Sequence, residues 1–162
     1  MKKSATAILS GLLLLVGVPS SCKGNTPLAG EKNAASEETK RENPTMENRI
    51  KISIGAKTFA ATLADNPTVS AFKAMLPLSL EMSDLNQNEK VSHLSSRLPS
   101  NDKNPGTIHD GDLMLWNSKS LVLFYKTFPT SYSYTKLGRI DNPEGLSAAV
   151  GAGDVTIQFV LE

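Results

Sequence analysis

The sequence predicts a mainly β domain in which eight strands close into a barrel, accompanied by two short helices. Three observations support this fold class. From residue 50 onward, short segments alternate apolar with polar residues, which is the period of a half-buried strand. Asn-Pro pairs at residues 66–67 and 142–143 each precede a short helical segment. Strands this frequent in a small domain are best closed into a barrel, because closure removes exposed edges.

The domain is predicted to begin with a hairpin followed by a helix. Residues 50–54 alternate, Gly55 opens a turn, and residues 59–63 continue the alternation on the return strand. The helix is expected to start at Pro67, directly after a capping residue, and to stop before Pro77.

The middle of the domain is harder to interpret. Residues 78–82 alternate as a third strand, and residues 84–88 have the composition of a loop. Residues 90–97 also alternate, and if this segment is a strand, His93 and Arg97 face the same way.

The last part of the domain contains the clearest strand signals. Apolar runs at residues 113–116 and 121–125 predict two buried strands joined by a turn, and a short strand follows at residues 137–140. A short helix is predicted to start at the second Asn-Pro pair and to include residues 146–150. Residues 155–161 alternate to the end as the final strand.

The N-terminal region indicates export. Two lysines precede an apolar run at residues 8–18, which is typical of a secretory signal and too short for a spanning helix. The only cysteine, Cys22, stands where the signal should end, and this arrangement resembles a bacterial lipoprotein signal in which such a cysteine is diacylated. Simple secretion with a free thiol is the alternative. Residues 1–21 are thus interpreted as a lipoprotein-type signal, 22–48 as a disordered tether and 49–162 as the barrel domain.

The charge balance argues against nucleic acid as a partner. Residues 49–162 contain 11 Lys and Arg and 11 Asp and Glu, so the domain is neutral. A protein that binds the phosphate backbone needs a basic surplus. The expected partners are a membrane, reached through the N-terminal lipid, and an unknown small molecule or peptide. The expected location is the cell envelope.

Several stretches together resemble a known family. The sequence LGRIDNPEGLSAAVGAGDVTI at residues 137–157, the preceding LVLFYK, and Gly-Asp-Leu at residues 111–113 resemble small bacterial proteins described as cyclophilin-like. The resemblance implies an eight-stranded barrel with two capping helices.

The resemblance preserves little of the cyclophilin catalytic pattern. Arg97, with His93 one alternation away, is the nearest match to the catalytic arginine of the family. The strand that supplies the family's glutamine is apolar here and contributes Phe124. The loop that supplies its tryptophan and histidine offers Phe128, Tyr132 and Tyr134 instead.

Two functions follow from these residues. The first is an envelope-anchored binding module whose barrel mouth holds a small molecule or peptide, and the second is a divergent peptidyl-prolyl cis-trans isomerase acting on exported proteins. An isomerase needs an apolar pocket and a donor such as Arg97 to stabilise the twisted amide. The candidate binding residues are Arg97, His93, Phe124, Phe128, Tyr132 and Tyr134.

Other site chemistries have weaker support. His109-Asp110-Gly111-Asp112 could suggest a metal site, but the chain has two histidines and lacks a His-x-x-x-His spacing, so no metal site is predicted. The sequence contains neither a Gly-x-Ser-x-Gly elbow nor a glycine loop for phosphate. No cofactor is predicted.

Overall fold

A computed structural model describes residues 48–162 of the chain. Ten strands and two helices follow one another along these residues. Their order is β1 (Arg49–Ile54), β2 (Lys57–Leu63), α1 (Pro67–Lys73), β3 (Leu78–Leu85), β4 (Glu89–His93), β5 (Thr107–Ile108), β6 (Asp112–Trp116), β7 (Ser120–Phe124), β8 (Phe128–Pro129), β9 (Thr135–Ile140), α2 (Leu146–Val150) and β10 (Val155–Leu161). Within residues 48–162, neither helix has the length and apolar character needed to cross a membrane.

Eight of the strands form a closed antiparallel barrel, so the predicted fold class is confirmed. The order around the barrel is β1, β10, β3, β4, β7, β6, β9 and β2, which returns to β1. The first and last strands pair through Ile54 and Ile157, and β2 pairs with β9 through Leu63 and Gly138. Closure therefore joins segments that are far apart in the sequence.

The pleat of the strands separates two apolar clusters. Leu113 and Leu123 belong to the main cluster, which also takes side chains from β1, β2 and β10 and fills the barrel interior. Met114 and Val122, one residue along each strand, belong to a second cluster. Because successive side chains in a strand point to opposite faces, this second cluster lies on the outer wall of the barrel.

A small two-stranded sheet accompanies this part of the outer wall. Strands β5 and β8 pair with each other and are not members of the barrel. Ile108 of β5 is fully buried, and Phe128 of β8 packs with it against Met114, Val122 and Phe124. The sequence did not predict these two strands, because two residues are too few to show any period.

Helix α1 begins as predicted at Pro67. The side chain of Asn66 accepts a hydrogen bond of 2.9 Å from the backbone N–H of Val69, which is a standard N-cap. Phe72 of this helix is fully buried and its ring lies 6.1 Å from that of Phe159. The helix is thus attached to the barrel through the main apolar cluster.

The start predicted for the second helix is wrong. Helix α2 begins at Leu146, and the backbone N–H of Leu146 donates to the carbonyl of Pro143. Gly145 has a φ of 80°, which lies outside helical conformation. The side chain of Asn142 accepts from the N–H of Glu144, two residues on, so it forms a turn and does not cap the helix.

Two strand boundaries differ from the sequence interpretation. Strand β3 continues to Leu85, into the segment expected to be a loop. Strand β4 ends at His93, so Arg97 lies outside any strand and the two side chains do not share a strand face. The backbone N–H of Leu94 still donates to the carbonyl of Lys119 in the register of the β4–β7 ladder, whereas the N–H of Leu98 donates to the carbonyl of Ser118, out of that register.

Candidate binding groove

A groove of about 660 Å³ lies on the outside of the barrel. It runs between the start of α1, the segment that precedes β5, and the outer faces of β6 and β9. The residues that line it are Asn66, Pro67, Thr68, Pro99, Ser100, Asn101, Lys103, Pro105, Thr107, His109, Asp112, Met114, Tyr134, Thr135, Lys136 and Arg139. Its volume falls within the range of small-molecule sites.

An apolar patch on the groove is formed by Tyr134 and the rings of three exposed prolines, together with the small exposed part of Met114. Met114 is 3 % exposed and belongs to the outer cluster, against which Tyr134 also packs. Pro67, Pro99 and Pro105 line the groove as well, and a proline ring fixes the φ angle of its residue. The backbone of the walls therefore has little freedom to lose when a ligand binds.

One wall is attached to β9 by backbone and side-chain hydrogen bonds. Lys103 and Tyr134 exchange a pair of backbone hydrogen bonds of 2.9 and 3.0 Å. The hydroxyl of Thr135, a residue that is 2 % exposed, accepts from the N–H of Asn101 and donates to Asp102. These bonds hold the segment before β5 beside the barrel.

The opposite wall is attached to the same strand. The amide nitrogen of Asn66 donates a hydrogen bond of 2.9 Å to the carbonyl of Lys136. Because Asn66 also caps α1, one side chain fixes both the helix start and its distance from β9. Both sides of the groove are therefore positioned by β9.

A buried carboxylate stands at one end of the groove. Asp112 is 3 % exposed, and its Oδ2 accepts a hydrogen bond of 2.8 Å from the backbone N–H of His109. The Nε of Arg139 lies 3.8 Å from the Oδ1 of Asp112, and its Nη2 donates to the carbonyl of Asp110 at 3.3 Å. The guanidinium of Arg139 is thus held in place by the protein.

Two further cations on the groove have no such partner. Within residues 48–162, the ammonium groups of Lys103 and Lys136 make neither a hydrogen bond nor an ion pair with the protein. Both side chains are exposed. The groove therefore presents two unneutralised charges beside the apolar patch.

Three of the six predicted binding residues come together in the structure. Phe124 is fully buried, and its ring centroid lies 5.8 Å from that of Phe128 and 5.5 Å from that of Tyr134. The contact with Tyr134 is edge to face, a favourable geometry for aromatic pairs. Of the three, only Tyr134 lines the groove.

The other three predicted binding residues make contacts elsewhere. Arg97 is exposed and donates a hydrogen bond of 3.2 Å to the carbonyl of Asn117, in the turn between β6 and β7. The Nδ1 of His93 lies 3.0 Å from the Oγ of Ser120, at the start of β7. Phe124 is at the other end of that strand, roughly 13 Å away along its length.

Tyr132 is the most exposed of the predicted aromatic residues. Its side chain is 65 % exposed, and its backbone N–H donates to the hydroxyl of Thr130. The six residues therefore do not form one cluster. A binding role for Arg97, His93 and Tyr132 stays a prediction, and Cys22, the predicted lipid attachment site, lies outside the described residues.

A buried carboxyl group beside Phe124 was not predicted from the sequence. Glu89 is 8 % exposed and pairs with Phe124 across the β4–β7 ladder, which puts both side chains on the outer face. Burial, with a smaller contribution from the charge of Asp84, raises the pKa of Glu89 to about 7. Burial, followed by the charge of Glu89, also raises the pKa of Tyr134. The alternation Glu89-Lys90-Val91 was the available signal, since it gives Glu89 and Val91 the same face.

The groove residues on β6 and β9 were also missed. Arg139 falls in the strand predicted at residues 137–140, which was assigned no binding role, and Lys136 directly precedes that strand. Lys136 and Arg139 are the two exposed positions of β9, and their polar character among apolar neighbours was the available indication that they face outward. Within residues 48–162, no group of three or more His, Cys, Asp or Glu side chains is arranged to hold a metal ion.

Comparisons with known proteins agree with this architecture. The sequence profile described as the cyclophilin-like family matches residues 52–160. The solution structure of the hypothetical protein AF2241 from Archaeoglobus fulgidus superposes with a TM-score of 0.51, at 20 % identity, over 75 % of this chain and 99 % of that one. This likeness concerns the fold alone. No curated protein matches the sequence.

Proposed function

This chain belongs to the cyclophilin-like family, and we propose that it is an exported, lipid-anchored module that binds a small molecule or a short peptide in the outer groove. The observation that carries the proposal is the groove itself. It offers about 660 Å³, walls that include three prolines, and two lysines that have no partner within residues 48–162, beside the ring of Tyr134. Small-molecule sites typically combine an apolar surface with a few polar groups in this way.

The proposed location rests on the N-terminal sequence. A basic start, an apolar run at residues 8–18 and a cysteine at position 22 are the parts of a lipoprotein-type signal. Acylation at Cys22 would place the barrel at a membrane surface, from which residues 23–48 would separate it. The neutral charge of residues 49–162 is compatible with a small ligand and argues against nucleic acid.

The isomerase alternative has less support. An isomerase of the cyclophilin type needs an open apolar pocket beside a hydrogen-bond donor. Phe124 is fully buried against Phe128 and Tyr134, and Arg97 donates to Asn117. We therefore favour a binding module.

A fragment screen tests this proposal. The full-length chain, purified in a nonionic detergent, is screened by saturation-transfer NMR against small neutral, cationic and anionic fragments. The variant Thr107→Trp places a large side chain at an exposed position on the groove. Ser79→Trp is the matched control, because Ser79 is exposed on β3, outside the groove lining.

We expect some fragments to bind the wild type and Ser79→Trp but not Thr107→Trp. Circular dichroism and a melting curve of each variant establish that it is folded. If every fragment that binds does so equally to both variants, or if none binds, the groove is not a ligand site and the proposed function is wrong.

A further inference from the structure

We infer that the ligand of this groove carries a carboxylate, which Lys103 and Lys136 bind while Tyr134 and the proline rings of the groove contact its apolar part. This inference rests on the proposed function, since it names the chemistry of the ligand for the same groove. The ligand class is an amphipathic organic acid: either a free small carboxylate or the C-terminal residue of a peptide.

The groove is positively charged although the domain is neutral. Among the described residues, three basic side chains line it, Lys103, Lys136 and Arg139, and one acidic side chain, Asp112. A second carboxylate, that of Asp102, accepts a hydrogen bond from Thr135 beside the groove, so the basic side chains remain in excess. Residues 49–162 contain equal numbers of basic and acidic residues, so the surplus is local to this concave surface. A concave surface with one sign of charge attracts ligands of the opposite sign.

The three basic side chains of the groove differ in whether the protein already compensates their charge. Arg139 faces Asp112 at 3.8 Å and donates to the carbonyl of Asp110, so its charge is compensated by the protein. Lys103 and Lys136 have no partner within the described part of the chain. An ammonium group has three N–H donors and is a compact point charge, which suits a carboxylate oxygen. The two lysines are thus the groups that a ligand would neutralise.

The positions of the two lysines are fixed through their backbones. Lys103 exchanges two backbone hydrogen bonds with Tyr134, and the carbonyl of Lys136 accepts from Asn66. Lys103 stands in the segment before β5, which is bonded to Tyr134 and Thr135, and Lys136 stands on β9 itself. Their backbones are therefore held in place before a ligand binds, and the freedom lost on binding is that of the side chains.

The groove also offers apolar surface to the rest of the ligand. Tyr134 is half-buried against the outer apolar cluster, and Pro67, Pro99 and Pro105 line the groove at exposed positions. An aromatic ring and proline rings offer apolar surface to a flat or aliphatic group. A purely ionic ligand such as inorganic phosphate would leave this surface unused, so the geometry favours an acid that has an apolar body.

The test compares acids with amides of the same shape. One probe pair consists of an N-acetyl tripeptide with a C-terminal phenylalanine as free acid and as carboxamide, each labelled at its N-terminal residue with an uncharged fluorophore. The second pair, hexanoic acid and hexanamide, is used as unlabelled competitor. Binding to the full-length chain in nonionic detergent is measured by fluorescence anisotropy at pH 7 and low salt.

The variants isolate the two lysines. Lys103→Gln/Lys136→Gln removes both charges and keeps hydrogen-bonding side chains of similar length. Lys51→Gln/Lys57→Gln removes two charges from exposed positions on β1 and β2, outside the groove lining, and serves as the control for net charge. The same measurements at 50 mM and 500 mM salt separate the ionic contribution, because salt screens exposed charges.

We expect the tripeptide acid to bind the wild type about tenfold more tightly than its amide, as charge-assisted hydrogen bonds are stronger than neutral ones. The preference should disappear in Lys103→Gln/Lys136→Gln and at high salt, and should persist in Lys51→Gln/Lys57→Gln. Competition by hexanoate but not by hexanamide would identify a free carboxylate as sufficient. Competition by neither would indicate that the peptide backbone is also read.

Two results would overturn the inference. If acid and amide bind the wild type equally, the carboxylate is not recognised, and the groove can still be a ligand site that prefers neutral fragments. If the preference for the acid survives in Lys103→Gln/Lys136→Gln, the anion binds elsewhere. Failure of the proposed function itself is recognised separately, by the indifference of all fragments to Thr107→Trp.

Discussion

The ammonium group of Lys90 is fully buried and lies 2.8 Å from the carboxylate Oδ2 of Asp84. The same nitrogen donates to the carbonyl of Gly151 at 3.0 Å and to that of Gly153 at 2.6 Å. The hydroxyl of Tyr125 donates to the same carboxylate oxygen at 2.6 Å. One side chain thus connects β4 to the end of β3 and to the connection between α2 and β10.

Removing this cation should destabilise the domain. Lys90→Met leaves the carboxylate of Asp84 without its cation and the carbonyl groups of Gly151 and Gly153 without the donor from Lys90, and breaking a buried ion pair on one side costs about 3 kcal/mol. The expected result is a loss of that order in the free energy of unfolding, measured with urea. Lys57→Met, at an exposed position on β2, is the control and should change little. A loss below about 0.5 kcal/mol would contradict the role given to Lys90.

Glu89 should make the stability of the domain depend on pH. Its pKa is raised from 4.5 to about 7, so the folded state holds a proton that the unfolded state has already released. Stability therefore falls as the pH rises from about 4.5 to about 7 and is level above that range. Below the unfolded pKa, both states are protonated and the penalty is absent.

The variant Glu89→Gln should remove this dependence. At pH 8 it should unfold with a free energy higher than that of the wild type by roughly 1–2 kcal/mol, after allowance for solvent screening, and at pH 4.5 the two should agree. Urea unfolding at the two pH values measures this difference. Glu81→Gln, at an exposed position on β3, is the control. Equal pH profiles for Glu89→Gln and the wild type would show that Glu89 titrates normally.

Gly138 should not tolerate a side chain. A Cβ at this position would lie 2.5 Å from the carbonyl oxygen of Thr62 and 2.9 Å from the Cα of Leu63, both in the backbone of β2. Since backbone atoms cannot move aside cheaply, Gly138→Ala should lower the free energy of unfolding by about 1–3 kcal/mol. Thermal unfolding measured by circular dichroism tests this, with Thr156→Ala on the outside of β10 as control. An unchanged melting temperature would mean that the β2–β9 pair is looser than the structure has it.

Cys22 should decide where the protein is found in the cell. If Cys22 is diacylated, Cys22→Ala should leave the domain folded and move it from the membrane fraction to the soluble fraction. Two acyl chains suffice for stable anchoring, at ~0.8 kcal/mol per buried CH₂. Fractionation followed by immunoblotting measures the shift, with Thr26→Ala as control. A Cys22→Ala protein that still sediments with membranes would refute lipid anchoring at this residue.

The barrel could be predicted from the sequence because most of its strands carry their own period. Ile50, Ile52 and Ile54 alternate into the core, and the final strand does the same with Ile157 and Phe159. These patterns predict how many long strands there are and which side chains point into the core, and the family resemblance predicts the barrel architecture. They contain no information on two-residue strands such as β5 and β8.

The groove could not be predicted in the same way. Its charged residues stand on β6, on β9 and on the irregular segment before β5, and this segment is held there by the pairing of Lys103 with Tyr134 and by the bonds of Thr135. Arg97 was the attractive candidate because the sequence permitted a long fourth strand. β4 ends at His93 instead, so Arg97 lies in an irregular segment, and by Leu98 the backbone is bonded to Ser118 out of register with β7. The alternation of residues 90–97 carries no signal of this change, because it depends on a contact with another part of the chain.

The pairing of the first strand with the last has a consequence for the kinetics of folding. Ile54 and Ile157 are partners although they are 103 positions apart. Contacts between such distant segments slow folding, because a long loop must be closed before the contact forms. During synthesis, β1 can pair with β2 at once, but its other edge stays open until β10 has been made. Until then the free edge of β1 can associate with other chains. A chain that is kept unfolded until its synthesis is complete would avoid this hazard.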